Sequence, residues 1–168
     1  QGVSSAASDV YKRQDIDTGW GDGNDISHSI KKMIEAGAAA VHLEDQIEAK
    51  RCGHRPNKKL ITTDEMCERI KTAVQGRGDS ELFIIARTDA FASEGINGCI
   101  KRARDYIDAG ADGIFLEAIT SLQDYKKLKD AIQKPILANI TEFGKTPLFK
   151  DKELMAVSYT HLTLPTIL

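Results

Sequence analysis

The pentad Lys50-Arg51-Cys52-Gly53-His54 sets one thiol among two cations and a histidine, beside a glycine where the backbone can bend. A free cysteine titrates near about pH 8.5, and neighbouring positive charge lowers that value. Such a thiol can donate or accept a proton at neutral pH. Just upstream, Val41-His42-Leu43-Glu44-Asp45-Gln46 is an apolar run that closes in carboxylates. Cys99, near Ile96 and Ile100, and Cys67, on a helical stretch, read instead as packing cysteines.

Other residues could share the chemistry. Asp15 and Asp17 stand two apart, so on a strand both side chains leave one face. With Glu44 nearby, directly or through water, they suit a hard divalent cation, Mg²⁺ or Mn²⁺, held by oxygen. The plainer alternative is a turn or helix cap at Asp17-Thr18-Gly19. Arg87 closes another apolar run, where a guanidinium needs an anion. Its planar fork suits a substrate carboxylate, with Asp89 or another carboxylate as internal partner. Glu117 could accept a proton or support the metal. Asn139 and Thr141 offer hydrogen bonds to a carboxylate, and Arg51 and His54 add positive charge. The sum favours a small, multiply anionic substrate. His42, between Val41 and Leu43, reads as a hydrogen-bonded core or rim histidine, and His28 as helix surface.

The elements that must position these groups recur along the chain. Glu35-Ala-Gly-Ala leads into Ala40–Glu44, and Asp108-Ala-Gly-Ala leads into Gly113–Glu117. Each time a helical pattern stops at a glycine and a strand follows. One helix before Gly37 should bury Ile30, Met33 and Ile34; one before Gly110 should bury Ile100, Ala103 and Ile107. Thr62-Thr63-Asp64-Glu65 predicts a capping box opening a helix with Met66, Ile70 and Val74 inward. Ser121 opens another, with Leu122, Tyr125, Leu128 and Ile132. Strands are expected at 40–43, 82–86, 113–116 and 136–138, with a stub at 15–17. Continuous apolar runs suit parallel strands covered on both faces. Each strand ends in polar residues, and five such ends in succession favour the rim of a parallel barrel over an open doubly wound sheet.

With 41% apolar and 29% charged residues and net charge −2, the 168-residue chain has no nucleic-acid or membrane-surface signature. No apolar run nears the roughly 18 residues of a membrane span. Three scattered cysteines argue for a reducing compartment, and so for the cytoplasm. The ends, 1–14 and 155–168, resemble translated sequencing-adapter read-through, most clearly at 4–14 and 157–166. The expected domain is therefore 15–154.

These motifs resemble the 2-methylisocitrate lyases of the isocitrate lyase and phosphoenolpyruvate mutase superfamily. The residues that carry the resemblance are Asp15-Ile-Asp-Thr-Gly19, His42-Leu-Glu-Asp-Gln46, Lys50-Arg-Cys-Gly-His-Arg-Pro56, Ala86-Arg-Thr-Asp-Ala90 and Asn139-Ile-Thr-Glu-Phe-Gly144. The resemblance implies a (β/α)₈ TIM barrel, of which this chain would be a partial copy, about strands 3–7. It also implies a homotetrameric parent. The implied reaction is Mg²⁺-dependent cleavage of 2-methylisocitrate to pyruvate and succinate, in propionate breakdown through the methylcitrate cycle. Asp15 and Asp17 would bind the metal, with Glu44 close by. Cys52 would be the general acid, flanked by Arg51, Gly53 and His54. Arg87, Glu117, Asn139 and Thr141 would contact the substrate. The alternatives are a relative acting on isocitrate or dimethylmalate, a non-catalytic metal-binding barrel, and a truncated reading frame without function. The partial barrel alone is expected to be inactive and poorly folded.

Overall fold

The computed structural model describes residues 12–21, 23–53, 55–140 and 144–157, with Asp151 by its backbone only. His54, Thr141 and most of the two end segments therefore lie outside the described residues. Strands and helices alternate: β1 (Arg13–Asp15), α1 (Gly23–Glu35), β2 (Ala40–Glu44), α2 (Thr63–Arg77), β3 (Phe83–Thr88), α3 (Phe91–Asp108), β4 (Gly113–Leu116), α4 (Leu122–Ile132), β5 (Ile136–Leu137) and α5 (Asp151–Ala156). Among the described residues these five strands pair in parallel, in the order β1-β2-β3-β4-β5. This sequential order is that of a barrel arc; a doubly wound sheet reverses its strand order at a switch point.

Local signals explain most of the elements. Gly37 and Gly110 adopt left-handed φ values of 77° and 108°, which end the preceding helices where the sequence predicts. Thr62 caps α2: its hydroxyl accepts from Glu65 N–H at 3.2 Å, and Glu65 accepts from Thr62 N–H at 2.8 Å. Ser121 accepts from Asp124 N–H at 3.1 Å and opens α4. Val41, Leu43, Ile84, Ala86, Ile114 and Leu116 are buried in the core. They meet Ile26 and Ile30 of α1, Met66 and Ile70 of α2, and Tyr125 and Leu128 of α4 in one cluster. Fully burying one such aliphatic side chain stabilises the fold by about 1.5–3 kcal/mol.

Two expectations need correction. The buried stripe of α3 is Cys99, Arg102, Ala103 and Tyr106; Ala103 is buried as expected, while Ile100 and Ile107, like Met33 and Ile34 of α1 and Val74 of α2, are half-buried against the core. The helix is rotated by about one residue, because Arg102 and Tyr106 turn inward to a buried acid. The stub strand does not carry both aspartates on one face. β1 begins at Arg13 and ends at Asp15; Asp17 follows in a turn at φ 54°. The turn forms because Asp15 Oδ1 accepts the Asp17 N–H at 2.8 Å.

Register then fixes the site. Asp15 lies opposite His42, and His42 opposite Ile85. Glu44 lies opposite Arg87, and Arg87 opposite Phe115. The charged strand ends are thereby brought side by side.

Candidate active site

Arg87 is the hub. Its Nε lies 3.0 Å from Asp89 Oδ2 and 3.2 Å from Glu44 Oε2, and its Nη2 lies 3.2 Å from Glu117 Oε2. The guanidinium carbon stacks 4.8 Å above the Phe115 ring centroid. Burial disfavours its charge, but Glu117 and Asp89 outweigh that and raise its pKa. Burial likewise pushes the Asp89 carboxyl up, and the Arg87 charge prevails and holds it below the usual range. Asn139 Nδ2 donates to Glu117 Oε2 at 3.4 Å, so β5 contributes to the same cluster. One cation among three carboxylates at the strand ends forms a rim with fixed polarity.

Asp15, Asp17 and Glu44 converge on the Lys50 ammonium. Lys50 pairs with Asp17 Oδ1 and lies 3.7 Å from Glu44 Oε1. Burial pushes the Glu44 carboxyl up to about 7. Asp15 is pushed up by burial, but the His42 hydrogen bond outweighs this and its pKa falls below the usual range. His42 is itself lowered by burial, and sits 3.2 Å from Asp15 and 2.5 Å from Arg13 Nη1. It is the bonded rim histidine that the sequence predicts.

Carboxylate oxygens are the donor type that a hard cation takes. An ammonium already stands among these oxygens, and Glu44 Oε2 is buried without a hydrogen bond. Among the described residues, no group of three His, Cys, Asp or Glu side chains forms a ready metal cage.

The cysteine loop leaves the rim between β2 and α2. A bridge between Gln46 and Leu60 pinches its base. The Gln46 side chain accepts from Arg51 N–H at 3.0 Å and donates to Arg51 C=O at 2.8 Å. Cys52 and Arg51 are exposed, and Gly53 is buried. A Cβ on Gly53 would lie 2.4 Å from both Arg87 Nη2 and Glu117 Cγ. Only glycine allows the loop to rest on the hub, and this sets Cys52 beside it in the chain.

Beneath the rim, Asp45 is fully buried. It accepts from Thr88 Oγ1 at 2.6 Å, Asp89 N–H at 2.9 Å and Tyr106 OH at 2.8 Å, with Arg102 Nη1 at 3.4 Å. Arg102 is held in turn by Glu94 at 2.7 Å. This network locks the β3 end that carries Arg87 and Asp89.

The structure therefore gathers Asp15, Asp17, Glu44, Gly53, Arg87, Glu117 and Asn139 in one linked region, with Cys52 and Arg51 on its loop. Cys99 is buried in the core, and Cys67 is a half-buried helix residue that donates to Asp105 C=O. Sequence reasoning missed Gln46, Lys58, Arg102 and Tyr106 as supports. Gln46 carried a signal, since a polar residue closes an apolar run there; Lys58, in a basic stretch, carried none.

Fold and rim together define a TIM-barrel-type α/β protein of the phosphoenolpyruvate mutase/isocitrate lyase superfamily. The chain belongs to the phosphoenolpyruvate phosphomutase family, whose model matches residues 4–164. It is 55% identical to 2-methylisocitrate lyase of Shewanella oneidensis over 153 residues, which are 91% of this chain and 52% of that protein. The resemblance to 2-methylisocitrate lyases read from the motifs is thus borne out. A solved structure of 2,3-dimethylmalate lyase superposes with TM-score 0.86 at 36% identity, over 90% of this chain and 52% of the other. Oxaloacetate acetylhydrolase in complex with 3,3-difluorooxalacetate superposes with TM-score 0.86 at 37% identity and the same coverage. The chain spans about half the length of the curated relatives it matches. No helix among the described residues is long and apolar enough to cross a membrane.

Proposed function

We propose that this chain carries the acid–base and anion-binding part of a carbon–carbon lyase that cleaves 2-methylisocitrate to pyruvate and succinate. The observation that carries the reading is Gly53 seated against Arg87 and Glu117, which joins the cysteine loop to the anion-binding hub. Arg87 and Asn139 orient a substrate carboxylate. A rim carboxylate takes the proton of the 2-hydroxyl, and the C–C bond breaks to a carbonyl and a carbanion. The carbanion is an enediolate of succinate, and its charge is stabilised by the guanidinium and nearby donors. The Cys52 thiol then gives its proton to that carbon as general acid. The rim carboxylate then gives up the proton it took from the hydroxyl and the thiolate takes one up through solvent, which restores both groups. Mg²⁺, or Mn²⁺, held by Asp15 and Asp17 with Glu44 near through water, would neutralise the 2-hydroxy acid's charge when bound. Arg51, His54 and Thr141 complete the proposed contacts.

The 168-residue chain tested alone is expected to show no turnover. A chimera that supplies the remainder from the Shewanella oneidensis relative is expected to release pyruvate from 2-methylisocitrate with Mg²⁺. Cys52→Ala in that chimera should lower kcat by about 10²–10⁴-fold. Full activity after Cys52→Ala would sink the general-acid role. Faster turnover of 2,3-dimethylmalate or isocitrate would move the substrate to the relatives' alternative.

A further inference from the structure

We propose that Lys58 is a positioning residue, a buried latch that bolts the cysteine loop to the arginine hub. The inference rests on the lyase reading for its consequence, though not for its geometry. Lys58 lies six residues beyond Cys52, and its side chain is 7% exposed. Its Nζ donates to the Gly53 carbonyl at 2.6 Å and to Asp89 Oδ1 at 2.9 Å. The same Asp89 oxygen accepts from Arg87 Nη2 at 3.3 Å. A continuous path therefore runs from the Gly53 carbonyl, one residue after Cys52, through Lys58 and Asp89 to Arg87. Asp89 is fixed from below, because Asp45 accepts its N–H.

The two arms of the loop are held differently. Gln46 clamps the Arg51 peptide with two neutral hydrogen bonds. Lys58 clamps Gly53 with a charge-assisted one, of the stronger kind. It is also the clamp that refers the loop to the substrate-binding cation. Proton transfer tolerates little displacement, so a loop freed on this side would keep its thiol and lose its aim. The buried ammonium has no role in holding the substrate itself, since both its partners are internal.

Hydrogen exchange of the Arg51 and Arg55 amides reads the latch directly. These amides donate to Gln46 Oε1 and to Cys52 C=O, inside the loop. In the wild-type chimera both amides are expected to be protected. Lys58→Met should speed their exchange by about tenfold or more, the scale of one charged hydrogen bond. Amides of α4 should be unchanged, which separates a freed loop from a destabilised fold. Lys58→Arg, which keeps the charge, should restore at least part of the protection. Ethylammonium should restore protection to Lys58→Ala. Unprotected loop amides in the wild-type chimera, or equal exchange in that chimera and its Lys58→Met variant, would overturn the latch. In the chimera, Lys58→Met should lower kcat with little change in KM. Absence of cleavage by the wild-type chimera, with the exchange pattern intact, would sink the lyase reading and leave the latch standing.

Discussion

Glu44 shows how one residue can serve two demands. It is fully buried, its Oε2 lacks a hydrogen bond, and burial holds its carboxyl at about 7. Its ordinary value is about 4.5. Between those pH values the folded protein keeps a proton that the unfolded chain has released. Stability from this group therefore falls as pH rises from about 4.5 to about 7. In metal-free buffer, Glu44→Gln is expected to gain stability relative to wild type across that window. Urea melts at pH 4.5 and 7.5 measure the difference; a difference that does not change between them would contradict the burial effect. Arg87 is the counterpart. Arg87→Met strands Glu44, Asp89 and Glu117 as buried carboxylates and should cost about 3–5 kcal/mol in a urea melt. A loss under 1 kcal/mol would mean that the carboxylates take up protons instead.

At the scale of elements, the site depends on helix ends and helix faces that touch no substrate. The capping box at Thr62 starts α2, and α2 carries Arg69, which donates to Glu44 C=O at 3.4 Å and Gln46 C=O at 3.1 Å. Thr62→Ala should cost about 1 kcal/mol. The thermal midpoint should then drop by about 2–4 °C. α3 acts through Tyr106 and Arg102 on Asp45. Tyr106→Phe keeps the ring and removes one bond to a buried acid, so about 1–3 kcal/mol should be lost. That loss should be small in an Asp45→Asn background, since the two share one network. Additive losses would show the contact to be idle. The capping box was legible because its two residues, Thr62 and Glu65, are three apart in sequence. The Tyr106 and Asp45 pair lies 61 positions apart, and no local pattern announces it.

At the scale of the molecule, the five strands form an arc whose outer members, β1 and β5, each pair on one side among the described residues. Open strand edges are templates for further pairing. The 168-residue chain is expected to self-associate at micromolar concentration, and sedimentation velocity would detect it. A monodisperse monomer under those conditions would show the edges to be covered. Parallel order along the arc was legible from the alternation of helix and strand with polar strand ends. Register was not legible, because it is set by which side chains meet across strands.

The sequence by itself determined the βα alternation, the helix stops at Gly37 and Gly110, and the cast of charged residues at strand ends. These follow from local periodicity and from backbone preferences that span only a few residues. Only the tertiary structure decided how the cast is joined. It put Asp17 in a turn instead of on a strand, turned α3 toward Asp45, and laid Gly53 on Arg87. It also buried Lys58 between the cysteine loop and Asp89. Each of these is a contact between distant segments, where close packing and the need to pair buried charge select the arrangement.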